Sequence, residues 1–174
     1  MNGMARKKKN EENGEWEKSL LGSIITLFDD NAQLTAEEIE GKPVIVIEPM
    51  EENESFPEDV TVSVERLGGS SQVSLMAAVF TGLPEDRAAD ILRLLPYINE
   101  YVVFGHFDLL RDEGALFFSY SFIMNGTWPM ESFLRVFTQT FDEVTFTAAD
   151  RREMLLPLIR GETTADKMIE DDNF

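Results

Sequence analysis

The strongest constraint on the fold of this chain is the order in which the spacing of its apolar residues changes. Val60, Val62 and Val64 alternate with polar residues, as in a strand with one buried face. Other segments repeat apolar residues every three or four positions, which indicates helices. Strand patterns follow one another directly and do not alternate singly with helices. Because parallel strands need crossover connections, this order predicts an α+β fold with an antiparallel sheet.

Three strands are predicted before the second helix and two after it. The strand patterns cover residues 44–47, 60–65, 73–80, 102–110 and 115–124. The helical patterns cover residues 16–28, 84–98, 128–144 and 151–160. Residues 35–38 resemble a capping box and favour a short helical turn. Turns are predicted at residues 67–70 and 112–114, so the element order is α-β-β-β-α-β-β-α-α with helices flanking the sheet.

Interruptions are predicted within two of the helices. Pro96 is expected to shorten or kink the second helix, because proline lacks the backbone N–H that a helix interior uses. Thr127 is expected to cap the third helix. Thr147 and Asp150 suggest a new cap, so that a separate final helix follows and is itself interrupted by Pro157.

Charge is unevenly distributed along the chain. The 174 residues include 33 acids and 15 bases, for a net charge of −18. Residues 1–12 carry four bases and two acids, so the acidity belongs to the rest of the chain. We therefore expect a disordered basic leader at residues 1–13, a single α+β domain at residues 14–161 and an acidic flexible tail at residues 162–174.

Composition excludes several classes of function. The chain has no cysteine and a single histidine, which rules out disulfides, thiolate metal sites, cysteine nucleophiles and multi-histidine metal sites. The negative charge argues against direct nucleic-acid binding, because phosphates are met by Lys and Arg. No apolar run approaches the ~20 residues of a membrane span. Acids at residues 11–17 argue against a signal peptide, and we expect a cytoplasmic protein that does not contact the membrane.

Candidate catalytic and ligand-binding groups are few. His106 shares a predicted strand face with Asp108, and such a pair can transfer protons, although a packing role on the strand is the favoured interpretation. The acid-rich segments at residues 29–31 and 48–59 lack the spacing of a calcium loop. Residues 68–71 lack the lysine of a phosphate loop and are predicted to form a turn. We therefore expect no catalytic residues, no metal, no cofactor and no enzyme activity.

One stretch resembles a known family. Residues 98–109 contain Asn99, Gly105, Phe107 and Leu109 in the arrangement N…G-x-F-x-L, and an aromatic-rich strand, a helix and a terminal segment follow. This stretch resembles the YbjN-like family, which shares its fold with type III secretion chaperones. The likeness covers residues 14–161 by element order and is sharper over residues 98–161. It implies a secretion-chaperone-like fold and a regulatory or chaperone-like protein without established enzyme activity. Secretion chaperones are commonly dimers that bind extended partner segments.

Large apolar side chains are concentrated in the last predicted hairpin and in the helix after it. The helical stripe is typical of a core, but surplus aromatic residues are also enriched at interfaces. The strand at residues 116–122 carries large apolar groups on both faces, which a sheet covered on one side does not need. The candidate partner or dimer surface comprises Phe117, Tyr120, Phe122, Trp128, Met130, Phe133 and Phe137.

These observations favour a non-enzymatic protein-binding module, chaperone-like or regulatory, that binds a protein segment as a homodimer. Its acidity favours a basic partner. Two alternatives remain open at this point. One is a small-ligand sensor with a pocket between sheet and helices. The other is an acidic mimic of nucleic acid that occupies the groove of a basic protein.

Overall fold

A six-stranded antiparallel sheet with helices on one face forms the framework of the protein. The computed structural model describes residues 19–28, 33–39, 42–48, 57–125 and 128–172. The elements are α1 (residues 19–28), β1 (Gln33–Ile39), β2 (Lys42–Glu48), β3 (Asp59–Leu67), β4 (Ser70–Phe80), α2 (Glu85–Glu100), β5 (His106–Leu110), β6 (Ala115–Asn125), α3 (Met130–Ile159) and α4 (Ala165–Glu170). The strand order across the sheet is β1-β2-β3-β4-β6-β5. The predicted α+β class and the predicted order of elements are confirmed.

Strand β1 is additional to the predicted elements. Residues 35–38, for which the capping-box pattern favoured a helical turn, instead pair with β2, with Thr35 opposite Val46 and Glu37 opposite Val44. The helical expectation was therefore wrong at this position. The reason lies in the partner strand, because β2 is a β-branched run whose backbone groups need a neighbour along its edge. Pairing between strands overrides the local preference of four residues.

The helix α3 is longer than predicted. Residues 128–144 and 151–160 were expected to form two helices, but Met130–Ile159 is one continuous helix of 30 residues. Thr147 and Asp150 do not begin a new helix, because apolar residues on both sides of them share one buried stripe. Pro157 lies inside α3. Pro96 lies inside α2, and the helix continues beyond it to Glu100, so it does not end at the proline. The predicted cap at Thr127 lies outside the described residues.

The end of the chain is more structured than the predicted acidic tail. Residues 165–170 form α4, in which Ala165 and Met168 are buried in the core. The Lys167 N–H donates to the Thr164 hydroxyl at 3.3 Å, which caps the helix. Two apolar residues three positions apart were enough to dock this short helix despite the surrounding acids. The predicted leader at residues 1–13 lies outside the described residues.

Both predicted turns are confirmed, and both use glycine in the left-handed region. The hairpin between β3 and β4 turns at residues 68–69, with Gly68 at a φ of +64°. The hairpin between β5 and β6 ends at Gly114, at a φ of +59°. A Cβ atom at Gly114 would lie 2.5 Å from the Leu83 carbonyl oxygen, so glycine is required there by close approach as well.

The hydrophobic core lies between the helices and one face of the sheet, which we call the helix face. The buried strand residues that join the core, such as Val62, Leu75 and Phe118, all point to this face. Helix α3 supplies fully buried side chains along its length, and Phe28 of α1 packs edge-on against Phe137. In the described part of the chain, no helix combines the length and the hydropathy needed to cross a membrane.

An arginine joins α3 to an irregularity in the central strand. The pairing of β4 with β6 shifts between Ala78 and Phe80. The guanidinium of Arg152 donates to the Val79 carbonyl at this point and lies 4.6 Å from the centre of the Phe80 ring. It also forms an ion pair with Glu58 at 3.3 Å. The Arg152 side chain thus provides a hydrogen-bond donor for a backbone carbonyl at the point where the shift interrupts the regular pairing of β4 with β6.

The edge of the sheet at β5 is sealed by a side chain. The Asn99 amide accepts a hydrogen bond from the Phe107 N–H at 2.7 Å and donates to the Phe107 carbonyl at 3.0 Å. It therefore occupies both backbone groups of this residue, much as a neighbouring strand would. This pair of bonds also ties the end of α2 to β5 and keeps the edge from pairing with another chain at that point.

The opposite face of the sheet, which we call the second face, has an acidic end. Asp59 lies there at the start of β3, across from Ala78 of β4. Partial burial raises the pKa of the Asp59 carboxyl above its ordinary value. The carboxylates of Glu58, Glu48 and Glu37 raise it further, and a hydrogen bond with Thr61 opposes part of this effect.

Replacing Asn99 tests the seal on β5. We expect Asn99→Ala to lower the free energy of unfolding by about 2–3 kcal/mol, because two half-buried backbone groups lose their partner. Asn99→Asp keeps the acceptor for the Phe107 N–H but places a carboxylate against the Phe107 carbonyl, so it should also destabilise. Urea unfolding measures both variants. An Asn99→Ala protein as stable as the wild type would contradict the role given to this side chain.

Replacing Asp59 tests the acidic end of the second face. The folded state holds the Asp59 proton more tightly than the unfolded chain does. The stability from this proton is fully present below the ordinary aspartate pKa of about 3.9 and is lost as the pH rises through the raised pKa of the folded state. Asparagine does not ionise, so Asp59→Asn should be more stable than the wild type at neutral pH. This advantage should disappear near pH 3.5.

Urea unfolding at the two pH values measures the difference, with Asp112→Asn as the control. Asp112 is an exposed carboxylate in the turn between β5 and β6, so its replacement makes the same charge change away from the acidic end. If Asp59→Asn is no more stable than the wild type at neutral pH, ionised Asp59 does not destabilise the folded state. An equal gain in stability at both pH values would also contradict the account, because the gain would then not depend on ionisation.

Candidate functional site

The seven residues of the candidate surface occupy three different environments. Phe133 and Phe137 are fully buried in the core and pack on each other with ring centres 6.0 Å apart. They are therefore unavailable to a partner, and this placement removes them from the surface. Their spacing along α3 is typical of helix residues that face a core, as the sequence analysis noted for this stripe.

The three aromatic residues of β6 are divided between the two faces of the sheet. Tyr120 and Phe122 lie on the helix face, half-buried against the core. Phe117 lies half-buried on the second face, between Ala78 and Asp108 on the neighbouring strands. As predicted, β6 carries large apolar side chains on both of its faces. Because they point to opposite sides of the sheet, they do not form one surface.

Trp128 and Met130 remain exposed at the start of α3, at 37% and 40% of their full surface. Phe146, later on the same helix, is exposed at 70%. It lies two positions from both Val144 and Ala148, which are fully buried, so it points away from the core. Met130 and Phe146 are sixteen positions apart and lie on nearly opposite sides of the helix, so the exposed apolar surface is divided between the start of α3 and its middle.

The connection between α2 and β5 forms an exposed apolar surface that the sequence did not reveal. We call Tyr101, Val103 and Phe104 the apolar lip. Val103 is exposed at 97% and Tyr101 at 52%. Phe104 is half-buried, with its ring centre 5.3 Å from that of Tyr120 and 5.9 Å from that of Phe118. Val103 and Phe104 were predicted to lie in a strand, but β5 begins only at His106. Their β-branched and aromatic side chains suit a strand equally well, so the sequence alone gave no signal for an exposed loop.

A small cavity lies between the apolar lip and α3. Its volume is about 260 Å³, and Phe104 and Tyr120 line it on the sheet side. Gln139, Thr140 and Glu143 of α3 line the other side. The cavity therefore combines two aromatic rings with a single carboxylate.

A larger cavity lies between the C-terminal half of α3 and α4. Its volume is about 640 Å³. Its lining residues are Asp150, Arg151, Met154, Pro157, Thr163, Lys167, Met168, Asp171 and Asp172. The Arg151 guanidinium is already paired with the neighbouring Asp150, Nη1 to Oδ2 at 2.7 Å. The remaining charged groups are one ammonium group and two carboxylates.

A hydrogen bond connects the apolar lip to the larger cavity. The Tyr101 hydroxyl donates to the Asp172 carboxylate at 3.5 Å. The negative charge of Asp172 is the main reason why the pKa of Tyr101 is raised above its ordinary value. Asp172 has a φ of +51°, a left-handed conformation that aspartate and asparagine adopt at the ends of helices. The lip therefore lies beside both cavities, with Phe104 in the smaller one and Tyr101 at the margin of the larger one.

The His106 and Asp108 side chains meet as their spacing predicted. The His106 Nε2 and the Asp108 Oδ2 are 2.8 Å apart, and both side chains are more than half exposed on the second face. An exposed pair is solvated by water on most sides, and neither residue lines the two cavities described above. Among the described residues, no group of three or more acidic or histidine side chains is placed to hold a metal ion.

Comparison with known proteins identifies a family. Among curated proteins, no match to the chain is found. The family model YbjN, with the description "Putative bacterial sensory transduction regulator", matches residues 54–145. This span is more than half of the chain and runs from β3 through the first half of α3, so it includes the apolar lip and the smaller cavity. The chain therefore belongs to the YbjN family.

Proposed function

We propose that this protein is a non-enzymatic regulator that binds a segment of another protein and that it functions as a homodimer. The family description supports a regulatory role. The resemblance to secretion chaperones supports binding of an extended segment by a dimer. The exposed apolar side chains and the charge of the molecule indicate where and how such a segment would bind.

The apolar lip is the observation on which the binding role rests. Single exposed apolar side chains are common on protein surfaces, but adjacent ones beside cavities are typical of interaction sites. Here Val103 is almost completely exposed, and Tyr101 and Phe104 adjoin two cavities. A partner that covered these side chains would remove apolar area from water, at roughly 25 cal/mol for each Å².

Charge supports a basic partner. The net charge of −18 produces a negative potential around the molecule, which attracts basic proteins and speeds their association. The same potential repels nucleic acid and acidic proteins. The cavities beside the lip contain carboxylates that a basic side chain can reach, which makes the local charge consistent with that of the whole molecule.

The homodimer is supported by exposed side chains at the start of α3. Trp128 lies just before this helix and Met130 begins it, and both are more than a third exposed. Such side chains are enriched in interfaces between copies of one chain. Met130 lies nine positions before Gln139, the first residue of α3 at the smaller cavity. A dimer built on Trp128 and Met130 would leave the lip and both cavities free to bind a partner segment.

A small-ligand sensor is the second candidate, and the larger cavity is the observation that favours it. Its volume of about 640 Å³ lies within the range of ligand pockets in proteins. It offers charges of both signs, from Lys167 on one side and from Asp171 and Asp172 on the other. A thermal-shift screen with amino acids and nucleotides tests this candidate. A single compound that raises the melting temperature, and fails to do so in Asp171→Asn, would establish it.

Replacing the lip tests the binding role. We expect Tyr101→Ser combined with Val103→Ser to abolish capture of the partner protein from a lysate, because the exposed apolar area is lost. Folding should be retained, since neither side chain belongs to the core. The control is Leu67→Ser combined with Ile123→Ser, which removes two exposed apolar side chains from the second face. The measurement is the amount of one discrete protein retained by each immobilised variant.

The outcomes separate the parts of the proposal. Capture by the wild type and the control, but not by the lip variant, supports binding at the lip. Equal capture by all three proteins would overturn the lip as the site. Light scattering should give twice the mass of one chain, and Trp128→Ser combined with Met130→Ser should reduce it to that of one chain. A wild-type protein that is monomeric at micromolar concentration would overturn the homodimer alone.

A further inference from the structure

The two cavities lie along the same side of α3. The residues that line them are Gln139, Thr140, Glu143, Asp150, Arg151, Met154 and Pro157. Most of these positions are separated by three, four or seven residues, which in a helix places them along one side of the cylinder. The buried stripe of Phe137, Val144 and Ala148 is displaced from them around the helix axis.

The distance between the cavities suits a short extended segment. The centres of the two groups of lining residues are about twelve positions apart on α3, which corresponds to about 18 Å along the helix. An extended chain covers this distance with about five or six residues. Two cavities at this spacing can therefore receive two side chains of one strand-like segment.

The apolar lip connects the two cavities on the side away from α3. Phe104 lines the smaller cavity, and the Tyr101 hydroxyl reaches the Asp172 carboxylate at the larger one. Val103 lies between these two residues in the chain and is almost fully exposed. A segment lying between α3 and the lip would thus contact apolar side chains over the interval between the cavities.

The chemistry of the two cavities differs. The smaller one offers the rings of Phe104 and Tyr120, which suit an aromatic or aliphatic side chain. In the larger one, Arg151 is paired with Asp150, and Asp171 and Asp172 outnumber Lys167. Counting all five charged groups, its net charge is −1, and Glu143 adds a further negative charge at the smaller cavity. This arrangement favours a basic side chain in the larger cavity.

We propose that one extended protein segment occupies both cavities, with a large apolar side chain on Phe104 and Tyr120 and a Lys or Arg side chain at Asp171 and Asp172. The two side chains are separated by about five or six residues of the segment. This assignment rests on the proposed function, because it specifies which segment the protein binds. It adds the location, the chemistry and the spacing of the two anchoring side chains.

Selection from a library of random 12-residue peptides displayed on phage tests the assignment with the full chain as bait. We expect the retained peptides to share a large apolar residue and a Lys or Arg about five or six positions apart. For these peptides, Asp171→Asn combined with Asp172→Asn should raise the Kd about tenfold at low salt and less at high salt. Asparagine tolerates the left-handed conformation at position 172, so the variant should fold.

The control variant is Asp112→Asn combined with Glu113→Gln, which removes two negative charges from the exposed turn between β5 and β6. It should bind the selected peptides within about twofold of the wild type. A second pair, Glu143→Gln against Glu153→Gln, compares two exposed glutamates of α3, only the first of which lines a cavity. Glu143→Gln should weaken binding and Glu153→Gln should not.

Other outcomes would overturn the assignment. We call Asp171→Asn combined with Asp172→Asn the cavity variant. Selected peptides that lack the shared spacing, or that bind the cavity variant as tightly as they bind the wild type, would show that the segment binds elsewhere. The proposed function would still stand. Dissociation of the dimer by the cavity variant would show that a second copy of the chain fills the cavities. A small molecule that raises the melting temperature of the wild type but not that of the cavity variant, and that displaces no bound peptide, would show that the larger cavity binds a ligand instead. If no peptide is retained and no protein is captured, the proposed function fails as well.

Discussion

The packing of α3 across the central strands β4 and β6 is the contact on which the rest of this structure depends. One side of the 30-residue helix is buried along its length, with Phe133, Phe137, Val144, Ala148, Leu155 and Leu158 all excluded from solvent. Burial of each large side chain contributes roughly 1.5–3 kcal/mol. The helix also fixes the shifted pairing of β4, because Arg152 donates to the Val79 carbonyl. Since α3 is held over its whole length, the side of the helix that lines the cavities has a defined position.

The apolar lip follows from a second constraint at the edge of the sheet. Asn99 binds both backbone groups of Phe107, so the end of α2 and the start of β5 are held at a fixed separation. The chain between them must pass outside the sheet, and Phe104 packs back against Phe118 and Tyr120. Val103 is left in solvent as a result. The exposed surface is therefore supported by the core on one side, through the contacts of the Phe104 ring.

Local patterns in the sequence predicted most of the framework. Alternating Val60, Val62 and Val64 and the glycine turn at residue 68 indicated strands and a hairpin, and both depend only on neighbouring residues. The errors arose where distant contacts decide. β1 forms because β2 needs a partner, and α3 continues past Thr147 because the core extends beyond it.

The same division applies to the candidate site. The periodicity of α3 identified Phe133 and Phe137 as one stripe, but spacing cannot show whether a stripe faces the sheet or a partner. The structure places both in the core. Val103 and Phe104 of the lip were assigned to a strand, because valine and phenylalanine are common strand residues. Both cavities bring together residues more than fifteen positions apart in the sequence, so no local pattern could have predicted them.

Hydrogen–deuterium exchange of the homogeneous protein, with and without its captured partner or a selected peptide, tests the central claim most directly. The account predicts slower exchange in residues 101–104, in residues 139–157 of α3 and in α4, while the β3–β4 hairpin is unchanged. Protection confined to the second face of the sheet, with no change at the lip or along α3, would contradict it.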